Sequence, residues 1–299
     1  MALQKGVHMG ERIRLNTYDF KDGQWIRQKN FCEFQIEETI GEGTFCRTYR
    51  ARKENVIGKT VALKEIKKAD GMTTKEYERT AQDYLADIWN YKKAMEAAQR
   101  EVLSVNAIYV SEKDENIFIE QDYLDGVLYS KFRFEQFDLE KELVLFKKLL
   151  HFLKALHQQN LFVLDLKQEN FMVITGNNEP ELVYFDLYLY NGEEKGGGEK
   201  CYPEGKRSYV EKYLRKNEFQ RVDLILSILV LYERLNQTEE LPKSKANIKI
   251  PDERNRVQKK IREIFIKGWD GEYECCDDLE KDIDDLEELL KEAPVPELL

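Results

Sequence analysis

Strand-like and helix-like patterning are segregated along this chain. From Glu33 to Glu65 the texture is that of strands: Phe34 and Ile36 alternate with polar residues, and Thr48–Arg52 and Thr60–Ile66 continue it. A long helix is predicted from Thr74 to Val105, with Tyr77, Ala81, Tyr84, Ile88, Tyr91, Met95, Ala98 and Val102 near one face. Strands over Ala107–Ser111 and Asn116–Gln121 flank the polar turn Glu112–Glu115. After Asp125-Gly126 helical spacing takes over, at Glu140–Gln158, Val222–Leu235, Asp252–Lys267 and Asp277–Lys291, with short apolar strands only around Thr175–Pro180. A doubly wound nucleotide-binding sheet needs repeated strand–helix–strand units, and these are missing. A β-rich part with one long helix, then a mainly helical part, argues for an α+β fold in two lobes.

Size fits that reading. With 299 residues the chain can form one large domain or two joined lobes, and 42% hydrophobic residues supply a core. A net charge of −10 repels polyanions on average, so no nucleic-acid partner is expected. The five cysteines are odd in number and lack metal-site or C-x-x-C spacing, which suits reduced thiols. The first sixteen residues lack the apolar core of a secretory signal, and the longest apolar run, Leu224–Tyr232, is too short to span a bilayer. No membrane insertion and a cytoplasmic location are therefore expected. Residues 1–33 read as an N-terminal extension, within which Lys21-Asp22-Gly23 is a plausible hairpin turn between Arg12–Phe20 and Gln24–Arg27.

Chemistry concentrates in a few places. Ile40-Gly41-Glu42-Gly43-Thr44-Phe45-Cys46 lies between two strands, where glycines let backbone N–H groups approach a phosphate without Cβ interference. A strand follows it, not a helix, which excludes the dinucleotide-binding fingerprint. Lys64, in Val61-Ala62-Leu63-Lys64, is a cation in an apolar strand. Leu164-Asp165-Leu166-Lys167-Gln168-Glu169-Asn170 follows a helix, and Leu182-Val183-Tyr184-Phe185-Asp186 is an apolar strand ending in an acid. Gly205-Lys206-Arg207-Ser208-Tyr209 precedes Arg221-Val222-Asp223, the start of a helix.

In this order and spacing the segments resemble the protein kinase family, over about residues 34–291. Lysine two positions after Asp165 is the serine/threonine form. The resemblance implies a bilobal fold: a lobe over 34–121, a hinge at 122–126, a helical lobe over 127–292 and a tail at 293–299. It implies ATP and magnesium as cofactors and a protein substrate as partner. Asp165 would be the catalytic base, Lys167 would stand near the γ-phosphate, and Asn170 and Asp186 would bind magnesium. Lys64 would meet the α- and β-phosphates, oriented by a helix acid, Glu96 or alternatively Glu101, with Glu96 leaving room for the helix to end. Ile40, Gly41, Glu42, Gly43, Thr44 and Thr48 would surround the nucleotide, with Ala62 and Met172 against the adenine and Gln121, Asp122 and Tyr123 beside it. Asp223 would brace the catalytic loop. Lys64, Asn170 and Asp186 would converge on one triphosphate beside Asp165.

Some positions depart from the pattern. Cys46 replaces the third glycine, Val163-Leu164 replace the His-Arg pair, Leu187 and Tyr188 replace Phe and Gly after Asp186, and Lys206 replaces a threonine. The family's A-P-E falls at Pro203-Glu204 or, in the preferred register, at Glu211-Lys212-Tyr213. Asp186–Lys200 contains no serine or threonine. These departures keep a nucleotide-binding pseudokinase or scaffold in view, and a small-molecule kinase as a further alternative.

Overall fold

The computed structural model describes residues 7–21, 24–43, 46–54, 56, 58–68, 72–98, 101–175, 179–192, 205–238, 240–249 and 255–292; within these, the side chains of 20, 24, 25, 74, 80, 83, 84 and 89 lie outside the description. Thr44, Phe45, Cys201, Pro203-Glu204, the 293–299 tail, the Asp22-Gly23 turn and the Tyr84 side chain thus lie outside it. The chain divides into two compact units, Met1–Ile88 with Leu103–Asp125, and Trp89–Val102 with Gly126–Leu299. It mixes strands and helices as an α+β protein should.

In the first unit six strands form an antiparallel barrel. They are β1 (Arg12–Lys21), β2 (Gln24–Glu42), β3 (Cys46–Lys53), β4 (Thr60–Ile66), β5 (Val105–Ser111) and β6 (Ile117–Asp122), in the order β1-β2-β3-β4-β6-β5. Pairing of β1 with β5, Leu15 opposite Ser111 and Thr17 opposite Tyr109, closes the ring and removes its open edges. Residues 12–33, read from sequence as an extension, therefore contribute a strand and a half to this barrel. Leu15, Phe34, Ile36, Tyr49, Leu63, Tyr109 and Phe118 fill its core. Glu120 is also buried, held by Lys53 at 2.8 Å and by the Tyr109 hydroxyl at 2.6 Å.

Helix α1 (Thr74–Ala98) starts at a capping box: Thr73 Oγ1 accepts from Glu76 N, and Glu76 returns its carboxylate to Thr73 N. Tyr77 ties this start to the barrel, donating to Ile66 O and accepting from Ile117 N. The helix ends seven residues before the predicted Val105. Glu101 N closes a turn on Ala98 O, Val102 bridges to Tyr184, and Val105 opens β5. Stiff β-branched residues that find strand partners leave a helix easily, so pairing outweighs the apolar period there.

The second unit is built on helices. The long α2 (Leu139–Gln158) begins at Asp138, whose side chain accepts from Lys141 N. α4 (Phe219–Asn236) is apolar nearly all round and buried from Val222 to Tyr232, as a central helix must be. α3 (Arg207–Leu214) precedes it; α5 (Arg256–Asp270) and α6 (Cys276–Glu292) follow. Arg207-Ser208-Tyr209 form the first turn of α3. Two small sheets complete the unit: β7 (Val127–Leu128), β9 (Phe171–Ile174) and β10 (Glu181–Tyr184), and β8 (Leu161–Phe162) with β11 (Tyr190–Asn191). The four described cysteines, Cys32, Cys46, Cys275 and Cys276, are free thiols. Among the described residues no helix is long and apolar enough to cross a membrane.

Candidate active site

The second unit brings four of the expected residues together. Asp165 and Lys167 lie in the short link between β8 and β9, and Lys167 Nζ stands 2.7 Å from Asp165 Oδ2. Asn170 closes a single 3-10 turn, Gln168–Asn170, and its side-chain amide donates to the Asp165 carbonyl at 3.0 Å. Asp186 follows β10, and its Oδ1 accepts from Leu187 N. Phe185 N donates to Asn170 O, joining the two segments. Burial, only partly offset by Lys167, raises the Asp165 carboxyl above its ordinary value, and the nearby Asp186 charge raises it further.

The loop needs a brace because its backbone is strained. Leu164 has φ 54, a left-handed conformation that costs a bulky side chain on the order of 1–3 kcal/mol. Asp223, fully buried in α4, supplies the brace: Oδ2 accepts from Val163 N at 3.0 Å and Oδ1 from Leu164 N at 2.8 Å. His157, at the end of α2, places Nε2 3.0 Å from the same carboxylate and Nδ1 3.7 Å from Cys276 Sγ. Burial pushes the Cys276 thiol up to about 12, so it stays protonated and can donate to the imidazole. Sequence reading picked out Asp223 but not His157, although Leu156-His157 before an apolar pair was the available signal.

In the first unit, Lys64 is half-buried in β4, opposite Thr48 and Ile119, and Ala62 is buried opposite Gln121. Gln121 is 3% exposed, and its Nε2 has no hydrogen-bond partner among the described residues. Asp122 accepts from Ser104 Oγ at 2.5 Å and Asn106 Nδ2 at 2.7 Å, and Tyr123 lies under the Arg50 guanidinium. Ile40 is exposed. Gly41 pairs with Thr48 and Glu42 with Arg47 across the β2–β3 hairpin, and Glu42 bonds both Arg47 and Lys67, which hold its carboxyl below the usual range. Neither Gly41 nor Gly43 has a positive φ, and among the described residues a Cβ on either would meet nothing closer than 3.9 Å. The fold itself does not demand glycine at these two positions.

The two candidate helix acids differ in their surroundings. Glu96 is exposed near the helix end, and Glu101 lies beyond the helix, its carbonyl accepting from Tyr184 N and its carboxylate 3.6 Å from His151. Earlier in α1, Asp87 is half-buried, four residues before the fully buried Tyr91, and groups with the unit that contains Lys64.

The protein kinase domain profile matches residues 34–292. This chain belongs to the protein kinase family. Membership supports a transferase that moves phosphoryl groups to proteins. Comparison with curated proteins gives no match.

Within this kinase the positions that depart from the pattern have definite surroundings. Tyr188, where glycine was expected, has its carbonyl held by the Tyr184 hydroxyl at 2.9 Å, and Tyr184 is itself stacked on Phe152. Lys206, where threonine was expected, is buried and ion-paired to Glu233 of α4 at 2.9 Å. Gln168, just after Asp165 and Lys167, donates to the other oxygen of Glu233 at 3.0 Å. Glu233 therefore ties the Gly205-Lys206 turn to the residues just after Asp165. Sequence reading assigned no role to Glu233 or Gln168.

Proposed function

We propose that this protein is an ATP- and magnesium-dependent serine/threonine protein kinase with Asp165 as its catalytic base. The observation that carries the reading is the cluster of Asp165, Lys167, Asn170 and Asp186, braced through a strained Leu164 by Asp223. Its donor chemistry suits a hard cation. The Asn170 amide nitrogen is engaged, which leaves amide oxygen for the metal, and the Asp186 carboxylate is a second oxygen donor. Magnesium bound there would neutralise charge on the phosphates. Asp165 accepts the proton of the acceptor hydroxyl and Lys167, paired to it, orients that carboxylate. Catalysis rests on positioning and on charge, with little covalent work for the protein. The lysine at 167 favours a serine or threonine acceptor.

The first unit serves nucleotide binding. Lys64 meets the phosphates. Asp87 is the better helix acid to orient it, since Glu96 is solvated. Ala62, Gln121, Asp122 and Tyr123 of this unit lie beside the base, and the buried Gln121 amide is a polar group that a ligand or water would satisfy. Ile40, Gly41, Glu42, Gly43 and Thr48 make up the phosphate side. Since the fold does not require glycine at 41, close approach of phosphate is the reason we give for it. Gly41→Ala should leave the melting temperature of the ligand-free protein within about 1 °C while weakening ATP affinity roughly tenfold, as a denaturation scan and an ATP titration would show. A fall in stability with unchanged affinity would remove that role.

The decisive measurement is magnesium-dependent transfer of labelled phosphate from ATP to protein substrates, with Asp165→Ala as control. Thermal stabilisation by ATP without turnover would instead favour the nucleotide-binding scaffold suggested by Tyr188 and Val163.

A further inference from the structure

Beside the catalytic segment the second unit has a cavity of about 1040 Å³. Its wall is the crossing of α4 and α5. Ile225, Ile228 and Leu229 come from one helix and Phe265 from the other, and Gly268 allows a close approach, for a Cβ there would sit 2.3 Å from Ile228 Cδ1. Tyr209 and Trp269 pack edge to face at the side, 5.1 Å between centroids. Between Asn236 and Arg256 the only regular element among the described residues is the 3-10 turn Lys245–Asn247, so no full helix covers this crossing there. The cavity reaches Lys167, whose ammonium is paired to Asp165.

Charge gives the cavity a polarity. Its described lining holds five cations, Arg133, Lys167, Lys206, Lys212 and Lys243, against Glu169 and Glu233. Glu233 is already neutralised by Lys206, and Lys167 by Asp165. What remains at the rim is Arg133, Lys212 and Lys243, all exposed, facing one exposed carboxylate. On a chain of net charge −10 this is a local reversal of sign, and a cleft lined by one sign concentrates ligands of the other.

We infer that this cavity docks the acceptor protein through a peptide segment carrying Asp or Glu beside a bulky apolar anchor. The inference rests on the kinase reading and specifies its substrate class. The anchor enters among Ile225, Leu229, Tyr209 and Trp269. The acids meet Arg133, Lys212 and Lys243, and the hydroxyl to be phosphorylated is delivered past Lys167 to Asp165. A basic segment is disfavoured because the one carboxylate of α4 that could receive it is occupied by Lys206.

Binding tests this without chemistry. Three fluorescein-labelled serine peptides would be titrated against the full chain without nucleotide: one with Glu and Asp around a Phe, one with Lys and Arg around the same Phe, and the acidic one with Phe→Ala. Fluorescence anisotropy should rank the acidic, anchored peptide at least about tenfold tighter than both others. The double variant Lys212→Glu, Lys243→Glu, changed only at exposed positions, should abolish that advantage. Equal affinities, a preference for the basic peptide, or an acidic preference untouched by the double variant would each overturn the inference. Nucleotide-induced thermal stabilisation of the same preparation reads the kinase proposal separately, so failure of one is distinguishable from failure of the other.

Discussion

Arg234→Ala should destabilise the second unit by about 3–5 kcal/mol, enough to lower its melting temperature on the order of 10 °C. Arg234 lies near the end of α4 with its side chain 1% exposed, and it forms a two-pronged pair with Glu142 of α2, at 3.0 and 2.5 Å. Its remaining nitrogen, Nη1, donates to the carbonyls of Tyr129 and Phe132, each at 2.8 Å, so one guanidinium fastens two helices and a turn. Removing it strands a carboxylate that is 4% exposed, together with two carbonyl groups. The stranded charge, more than the lost attraction, sets the size of the effect. Removing both partners tests that claim: Arg234→Met combined with Glu142→Leu should recover at least half of the loss in chemical denaturation, because no buried charge is left unpaired. A double variant as unstable as the single one would show that the two carbonyls, not Glu142, carry the cost.

That pair also illustrates what the sequence could and could not disclose. Apolar period located α2 and α4 within a few residues, because each buries a face or a whole surface, and burial leaves its mark on residue type. Arg234 and Glu142 left no such mark: a charged residue in a helix reads as solvated until its partner, 92 positions away, is known. Lys206 with Glu233 escaped for the same reason. Asp165 and Asn170 stand close in sequence, and a short turn brings the Asn170 amide back to the Asp165 carbonyl; the roles expected of them, and of Asp186 and Asp223, came from the resemblance to a family pattern and not from spacing. The overlong α1 had another cause. Val102 and Val105 continue the helical period, but strand pairing depends on Tyr184 and Gln121, which local reading does not see. The contribution of β1 to the barrel was hidden likewise, since its partner β5 lies about 90 residues on.

On the role proposed for Asp165, Asp165→Asn should lower phosphoryl transfer by roughly 10²–10⁴-fold while leaving ATP-induced stabilisation in place, because asparagine keeps the shape and loses the proposed base. The same substitution should make the fold more stable near neutral pH, and the sign follows from the environment of the carboxyl. Its folded-state value is raised, chiefly by burial, above the ordinary 3.8, so the folded protein holds this proton more tightly than the unfolded chain does. As pH climbs past the unfolded value the unfolded chain loses the proton first, and this group's contribution to stability declines until the folded form has titrated too. Above that window the native protein carries the whole cost of a half-buried charge, and the asparagine variant would not. Melting curves between pH 4 and pH 7 should therefore show Asp165→Asn gaining on the parent as pH rises. The acid limb of the activity profile should likewise lie above the usual aspartate range, since only the ionised carboxyl accepts a proton. If the variant were instead less stable than the parent at pH 7, Lys167 would have to hold Asp165 as a favourable ion pair, and the acid limb should then shift to lower pH.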